Sequence, residues 1–195
     1  MKVILMHGKD TDPTQKWYPW FINSLKERGI DIKAPVLPKA DDPICDEWIA
    51  KLKETNPEEN SILVGHSRGG VAILRWLEML PSDMRVRKVI LVATNSPRLK
   101  DKARLSENDG GFYTDAGCDF EAIKVHCDDF VVLHSKDDQW VPYSHGEYNA
   151  GCLDAKFISF DDKGHFGHGV DDIPDLLAEI ENVLAGNELA ATSSG

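Results

Sequence analysis

"SILVGHSRGGVAIL", residues 61–74, decides the fold, because it joins an apolar, β-branched run to a helical run through a serine flanked by glycines. The first part, "SILVG", is typical of a strand that is covered on both faces of a parallel sheet. The second part carries Val71 and Leu74 at helical spacing and predicts a helix that ends at Pro81. The segment therefore predicts a strand, a sharp turn at Ser67 and a helix.

Apolar runs of the same kind recur along the chain and predict further parallel strands. These runs lie at residues 2–6, 87–93, 130–134 and 155–160. Residues 31–38 are a weaker candidate, because Pro35 has no N–H for a central strand and belongs at an edge or a bulge.

Amphipathic segments with recognisable ends lie between the strand candidates. Asp12 and Pro13 predict the start of the first helix, and Gly29 predicts its end. Further helices are predicted from Asp42-Pro43 to Asn56-Pro57, within "DFEAIKV", and from Ile173-Pro174 to Gly186. The alternation of strands and helices predicts an α/β fold, a doubly wound and mostly parallel sheet with helices on both faces.

Length and composition predict a single domain. The chain has 195 residues, of which 42% are apolar and 28% charged, as in ordinary globular proteins. Residues 95–128 lack a long periodic face, and we interpret them as a loop or modest cap over one end of the sheet. Residues 1–186 are predicted to form the domain, and the small, polar tail 187–195 is predicted to be disordered.

Net charge and cysteine spacing restrict the partners. A net charge of −11 disfavours binding to nucleic acid or to an anionic membrane surface. We expect neither a membrane span nor a signal peptide, because every apolar run is too short. The four cysteines lack metal-binding spacing and predict reduced thiols in a cytoplasmic protein.

The turn Gly65-His66-Ser67-Arg68-Gly69 matches G-x-S-x-G, the nucleophile elbow, after a strand and before a helix. Such a turn is strained, and the residues two before and two after the serine are expected to face each other too closely for side chains. The helix N-terminus adds partial positive charge where an oxyanion would form. The alternatives are a tight turn with an incidental serine and a phosphate-binding loop, which lacks the required lysine and glycine spacing.

A serine nucleophile needs a histidine base and a carboxylate, which in this fold follow it in the order acid, then histidine. "SKDDQWVP" follows one late strand candidate, and "DDKGHFGHG" follows the next. We predict Asp138 as the acid, with Asp137 exposed or capping the turn. We predict His165 as the base.

His168 is the nearest alternative to His165. The pair His165-x-x-His168 could instead be half of a metal site, with Asp161 and Asp162 nearby. Nothing here resembles H-E-x-x-H, and no metal is predicted. The other histidines are expected to be packed or at the surface: His7, His66, His126, His134 and His145.

Two backbone amides are expected to form an oxyanion hole, the N–H of Arg68 and the N–H of Lys9 in the loop after the first strand. Gly8 would let that loop approach Ser67. Loss of one such donor should cost about 3 kcal/mol of transition-state stabilisation. The charge of Arg68 could bias the pocket toward acidic substrates, or the side chain could point to solvent, which we favour.

Aromatic residues near the carboxyl ends of the strands are candidates for the mouth of the site. They are Trp17, Tyr18, Phe112, Tyr113 and Trp140, although packing under the first helix is an equal alternative for Trp17. The predicted substrate-binding residues are His66, Tyr113 and Trp140. A basic run either flanks the entrance or forms a solvated loop: Arg98, Lys100, Lys102 and Arg104.

Together these motifs resemble a known family. The segments "HGK…WYPWF", "ILVGHSRGG", "GGFYTDAGCDFEAIKVHCDDFVVLHSKDDQWVP" and "KGHF" are similar to small α/β-hydrolases typified by the retinoblastoma-binding-protein-like serine hydrolases and their bacterial relatives. The resemblance extends from Val3 to about Leu184. It implies a minimal α/β-hydrolase fold without a large cap, and it matches Ser67, Asp138 and His165 to the family's catalytic triad.

The sequence therefore predicts a cytoplasmic serine hydrolase, carboxylesterase-like, that acts on small acyl esters or related acyl compounds through an acyl-enzyme. No cofactor is expected. The alternatives are a protein-interaction module on a hydrolase scaffold, and an acyltransferase or peptidase that uses the same triad. A protein partner is left open but not indicated, because the chain has no L-x-C-x-E segment.

Overall fold

A parallel six-stranded sheet forms the centre of the computed structural model, which describes residues 1–96 and 109–192, with side chains as far as residue 186. The strands are β1 (Lys2–Met6), β2 (Asp31–Lys33), β3 (Ser61–His66), β4 (Lys88–Val92), β5 (Phe130–Ser135) and β6 (Lys156–Phe160). Their order is β2-β1-β3-β4-β5-β6, and each neighbouring pair is parallel. The predicted α/β fold is confirmed, and the short strand β2 lies at an edge, with Pro35 beyond its end.

Helices cover both faces of this sheet. They are α1 (Tyr18–Glu27), α2 (Cys45–Glu54), α3 (Arg68–Glu78), α4 (Phe120–Lys124), α5 (Tyr143–Leu153) and α6 (Pro174–Thr192). Alternate residues of a strand point to opposite faces: in β1, Ile4 and Met6 join a core with α2 to α5, whereas Val3 and Leu5 join a core with α1 and α6. No helix in the described part of the chain is long and apolar enough to cross a bilayer.

The first helix begins later than predicted. Asp12 accepts a hydrogen bond of 2.7 Å from the N–H of Thr14 and closes a turn instead of capping a helix. Lys16 then has a φ of 55°, which no residue of a right-handed helix adopts. Helix α1 therefore begins at Tyr18, with Pro19 in its first turn. The consequence is that Lys16 belongs to a loop at the carboxyl end of the sheet.

Two other helices differ from the predictions. Helix α5 was not predicted, because "YSHGEYNAGCL" has two glycines and little apolar periodicity. One of them, Gly146, packs on β5, where an added Cβ would lie 2.6 Å from His134 Nδ1. Helix α6 continues past its predicted end at Gly186, because "NELAAT" contains good helix formers.

Some predicted features lie outside the described residues. They are the last part of the tail, residues 193–195, and segment 97–108, which contains the whole basic run (Arg98, Lys100, Lys102 and Arg104).

Candidate functional site

Ser67 forms the turn between β3 and α3. Its backbone has a φ of 52° and a ψ of −122°, a strained conformation for a residue with a Cβ. Its N–H donates to the carbonyl of Val92 in β4 at 2.9 Å, and its own carbonyl accepts from the N–H of Gly70 at 3.1 Å. These bonds hold the strained turn at the carboxyl end of the two central strands.

The glycines around Ser67 make different contacts from those expected. A Cβ added at Gly65 would lie 2.4 Å from Gly70 Cα. One added at Gly69 would lie 2.2 Å from the Met6 carbonyl oxygen, and one added at Gly70 would lie 2.1 Å from Thr94 Oγ1. Gly65 and Gly69 therefore do not face each other. Successive helix residues point in directions about 100° apart, so Gly70 lies over Gly65 while Gly69 faces β1.

His165 and Asp138 are in direct contact. His165 Nδ1 lies 2.8 Å from Asp138 Oδ2, and the Asp138 side chain is fully buried. The other carboxylate oxygen accepts the N–H groups of Trp140 and Val141, each at 2.8 Å. Because Nδ1 faces a carboxylate, it carries the donated proton, and Nε2 is left as the nitrogen available to Ser67.

Ser67 and His165 line the same cavity. Within the described residues, no hydrogen bond joins Ser67 Oγ to His165 Nε2. Such bonds are often long before a substrate binds. The structure thus brings both residues to one cavity without a hydrogen bond between these two atoms.

Asp137 contacts the backbone of the loop that carries His165. Its Oδ1 accepts a hydrogen bond of 2.5 Å from the Ser135 hydroxyl and one of 2.8 Å from the Gly164 N–H. The hydrogen bond from Ser135 holds the pKa of this carboxyl below its usual value. The neighbouring aspartates therefore have different roles. Asp138 contacts the imidazole of His165, whereas Asp137 accepts the backbone N–H of Gly164, the residue before His165.

His66 and Tyr18 connect the loops on either side of Ser67. His66 Nε2 lies 2.9 Å from the His165 carbonyl oxygen, the Tyr18 hydroxyl lies 2.6 Å from His66 Nδ1, and the Gly8 N–H donates to that hydroxyl at 3.1 Å. All three bonds form together when a neutral His66 carries its proton on Nε2. Burial lowers the pKa of His66 well below its usual value and keeps the ring neutral.

The loop after β1 approaches Ser67 closely. An added Cβ at Gly8 would lie 3.0 Å from His66 Nδ1 and 3.3 Å from Ser67 Cβ. The Gly8 carbonyl accepts hydrogen bonds from His7 Nδ1 at 2.8 Å and from the Thr11 hydroxyl at 3.0 Å. A side chain at position 8 would therefore push this loop away from the serine.

Lys9 and Arg68, whose amides were predicted to bind an oxyanion, both line the cavity. The N–H groups on either side of Lys9 have acceptors, since Gly8 donates to Tyr18 and Asp10 to Ala40. The Lys9 N–H has none among the described residues. The Arg68 N–H lies in the first turn of α3, where a helix supplies no acceptor.

The cavity has a volume of about 360 Å³, and the predicted substrate-binding residues His66, Tyr113 and Trp140 all line it. Trp140 lies at its mouth with 70% of its surface exposed. Trp17, Tyr18 and Phe112 are fully buried, so packing is correct for Trp17. The mouth position is wrong for Tyr18 and Phe112, because both pack into the cores on either side of the sheet.

The alternative histidine lies elsewhere. His168 is exposed and is not among the residues that line the cavity. In residues 1–96 and 109–192, no group of three or more His, Cys, Asp or Glu side chains is arranged to hold a metal ion.

Comparison with known proteins identifies the family. A family model described as serine hydrolase matches residues 3–175. The chain belongs to the serine hydrolase family. YdeN of Bacillus subtilis is 30% identical over 167 residues, 85% of each chain. The serine hydrolase RBBP9 of Rattus norvegicus is 30% identical over 176 residues, 88% of each chain. The predicted family resemblance is confirmed.

Solved structures share the fold of this serine hydrolase. The crystal structure of the ydeN gene product from B. subtilis has a TM-score of 0.85 and 28% identity, and the match covers 94% of this chain and 98% of that one. Est1E from Butyrivibrio proteoclasticus has a TM-score of 0.65 at 14% identity and covers 97% and 88% of the two chains. The second match shows the fold alone.

The Arg68 side chain of the serine hydrolase lies across two aromatic rings. Its Cζ is 5.5 Å from the ring centroid of Phe112 and 5.8 Å from that of Tyr113, within the range of a cation–π contact. Burial raises the pKa of Tyr113 to about 12, so its hydroxyl stays neutral. Our expectation that Arg68 points to solvent is wrong, because the rings hold the guanidinium at the cavity wall.

Sequence reasoning missed His134 as a neighbour of Asp138 in the serine hydrolase. His134 Nε2 lies 3.0 Å from the Val141 carbonyl oxygen and 3.5 Å from Asp138 Oδ2. Both partners are acceptors, so Nε2 carries the proton, and burial lowers the pKa of His134. Its only signal in the sequence is its position in the strand before Asp138.

Proposed function

We propose that this serine hydrolase cleaves small acyl esters, with Ser67 as nucleophile, His165 as general base and Asp138 as the group that orients His165. The observation that carries the proposal is the contact of 2.8 Å between His165 Nδ1 and Asp138 Oδ2 beside a cavity that Ser67 also lines. The strained backbone of Ser67 supports it, because strain in a residue with a Cβ is concentrated at functional sites.

Acylation of Ser67 is the first step. His165 Nε2 takes the hydroxyl proton as Ser67 Oγ attacks the carbonyl carbon of the ester. The amides of Lys9 and Arg68 stabilise the negative charge on the carbonyl oxygen, and Asp138 stabilises the imidazolium. The bond between the carbonyl carbon and the alcohol oxygen then breaks, and the alcohol leaves with the proton from His165.

Hydrolysis of the acyl-enzyme is the second step. A water molecule gives a proton to His165 and attacks the acyl carbon. The bond to Ser67 Oγ breaks, Ser67 recovers the proton, and the carboxylic acid is released. These residues complete both steps with water as the only co-reactant.

The cysteines are poor competitors for the role of nucleophile. Burial raises the pKa of Cys45 and of Cys118 to about 12, and that of Cys127 to about 11. These thiols stay protonated at neutral pH, and the thiolate is the reactive form. All four cysteines are free, which supports a reduced, cytoplasmic location.

Labelling with a fluorophosphonate probe tests the nucleophile. We expect wild-type protein to be labelled at Ser67, Ser67→Ala to be unlabelled, and His165→Ala to be labelled far more slowly. His168→Ala is the matched control and should be labelled at the wild-type rate, because His168 lies outside the cavity. A folded wild-type protein without label would overturn the proposal and favour an interaction module.

Hydrolysis of 4-nitrophenyl esters tests the reaction. The rate of 4-nitrophenol release should depend on Ser67. In a series of esters with longer and longer acyl chains, this rate should rise until the chain fills the cavity and should not rise beyond that length. Labelling of Ser67 without turnover of any ester would contradict ester hydrolysis and favour transfer to another acceptor.

A further inference from the structure

We propose that Arg68 and Lys16 select ester substrates that carry a carboxylate in addition to the ester group. This inference rests on the proposed ester hydrolysis at Ser67 and adds a substrate class to it. Neither side chain has a part in the chemical steps above, yet both line the cavity beside Ser67.

Arg68 is held at the cavity wall without a carboxylate partner among the described residues. Its Cζ lies 5.5 Å from the ring centroid of Phe112 and 5.8 Å from that of Tyr113. By contrast, Arg75 on the same helix is paired with Glu78 at 2.9 Å. The guanidinium has five N–H donors in a planar fork, and this fork matches the two oxygens of a carboxylate.

Lys16 brings a second cation to the cavity from the loop before α1. Lys16 is half-buried. Its Nζ lies 3.9 Å from the position that a Cβ added at Gly167 would take, and Gly167 belongs to the same loop as His165. Within residues 1–96 and 109–192, Lys16 forms no ion pair. Burial lowers the pKa of Lys16, and the charge of Asp10 opposes this only in part. A partly buried cation without a partner is unfavourable, and an anionic ligand removes that cost.

The charged lining of the cavity is cationic in balance. Of its described residues, Lys9, Lys16 and Arg68 are basic and Asp10 is acidic, although the whole chain has a net charge of −11. A concave site lined by one sign of charge concentrates ligands of the opposite sign. The cavity of about 360 Å³ is large enough for a short acyl chain with a terminal carboxylate. Hydrolysis of such a monoester by Ser67 and water yields a dicarboxylate and the free alcohol.

Two matched ester pairs test the inference, because the carboxylate can lie on either side of the ester. Mono(4-nitrophenyl) adipate is compared with 4-nitrophenyl hexanoate, and 3-carboxy-4-nitrophenyl butyrate with 4-nitrophenyl butyrate. The readout is the ratio of kcat/KM for the charged ester to that for the neutral one. In at least one pair, this ratio should fall about tenfold to hundredfold in Lys16→Met and in Arg68→Met. The same ratio should fall in wild type as salt is raised.

Lys51→Met is the control for the loss of one positive charge. Lys51 lies on α2, pairs with Glu54 and does not line the cavity, so this variant should keep the wild-type ratio. Arg68→Gln provides a second variant if Arg68→Met does not fold, and Arg68→Glu should reduce the ratio further.

The outcomes separate this inference from the proposed function. If wild type is labelled at Ser67 and hydrolyses neutral esters, but both ratios are the same in wild type, Lys16→Met and the Arg68 variants, the carboxylate inference is wrong and the ester hydrolase stands. If no ester is hydrolysed and Ser67 is not labelled, the proposed function fails and this inference fails with it.

Discussion

The Nε2 of His66 donates a hydrogen bond of 2.9 Å to the backbone carbonyl of His165. This bond ties the strand before Ser67 to the loop after β6. On its other side, His66 contacts the Tyr18 hydroxyl, which accepts the Gly8 N–H. One buried chain of hydrogen bonds therefore connects the loop after β1, which contains Gly8 and Lys9, to the loop after β6, which contains His165.

Tyr18→Phe should lower both stability and activity. The change leaves the Gly8 N–H and His66 Nδ1 without a partner in a buried site, so we expect the free energy of unfolding to fall by about 2 kcal/mol. We expect kcat to fall about tenfold with little change in KM, because the loops on both sides of Ser67 loosen while the cavity lining stays. Urea denaturation and ester hydrolysis measure the two effects.

Tyr143→Phe is the matched control. The Tyr143 hydroxyl bonds Ser159 at 2.7 Å in an exposed position, so its removal should change stability by less than about 0.5 kcal/mol. Equal stabilities of the two variants would contradict a special role for Tyr18.

Stability should fall as the pH drops below about 6.5. Burial lowers the pKa values of His7, His66 and His134 in the folded protein. Unfolded histidines have a pKa near 6.5 and bind protons that the folded ones do not, so stability rises with pH through this range. Each histidine contributes at most about 1.4 kcal/mol per pH unit, and the loss levels off below its folded pKa.

Urea denaturation from about pH 8 to about pH 5 measures this loss. His66→Gln should reduce the slope of the free energy of unfolding against pH by the contribution of one histidine. If the slope of this variant matched that of wild type, the buried, neutral state of His66 would be refuted.

Much of the candidate site could be predicted because its motifs follow strands. The turn at Ser67, the pair Asp137-Asp138 and the loop of His165 come directly after β3, β5 and β6. The carboxyl ends of parallel strands lie at the same edge of the sheet, so these segments had to be close together. The turn alone predicts only that Asp137 and Asp138 point in different directions, and the choice of Asp138 was supported by the family resemblance.

The contributions of Lys16, Tyr18 and His134 could not be predicted, because none of them belongs to a local pattern. Lys16 reaches the cavity only because its φ of 55° delays the start of α1. Tyr18 looks like a mouth residue until that start is known. Helix α5 was missed because it packs on β5 through Gly146, which contacts His134, and a glycine adds nothing to the apolar periodicity that predicts a helix.

Gly65→Ala should prevent tight packing of α3 on the sheet. The added Cβ would lie 2.4 Å from Gly70 Cα and 2.6 Å from its nitrogen, and backbone atoms cannot move aside as a side chain can. We expect a loss of about 3 kcal/mol or more, the upper end for overpacking. Urea denaturation measures the loss.

Gly151→Ala provides the control in the same assay. Gly151 lies in α5, and an added Cβ would have nothing within 4 Å of it, so the change should stabilise the protein by about 0.5–1 kcal/mol. If both variants had the same stability, the close approach at Gly65 would be refuted.

Asp138→Asn should reduce activity far more than Asp137→Asn. An amide at position 138 cannot accept the Nδ1 proton as a carboxylate does and favours the wrong tautomer of His165, so kcat should fall by roughly 10⁴-fold. Asp137 accepts hydrogen bonds from the Ser135 hydroxyl and the Gly164 N–H, and the side-chain oxygen of an asparagine can accept both. The kcat of Asp137→Asn should therefore fall by less than about tenfold. Steady-state hydrolysis of a 4-nitrophenyl ester measures both. Activity of Asp138→Asn within tenfold of wild type would remove Asp138 from the mechanism.

Glu179 on α6 binds two lysines, one of which is buried. Its carboxylate lies 2.7 Å from Lys88 Nζ and 2.6 Å from Lys156 Nζ, and the side chains of Glu179 and Lys88 are each only 5% exposed. Glu179→Ala leaves the buried Lys88 with the more exposed Asp129 at 3.2 Å. We expect a loss of about 3 kcal/mol, the lower end for a broken buried pair.

Two further variants distinguish this interaction from ordinary surface charge. Asp161→Ala removes an exposed pair with Lys136 and should cost less than about 1 kcal/mol in urea denaturation. The double variant Glu179→Leu with Lys88→Met should recover much of the loss, because it removes both charges and fills the space with apolar atoms. If the double variant were less stable than Glu179→Ala, the uncompensated charge of Lys88 could not be the cause.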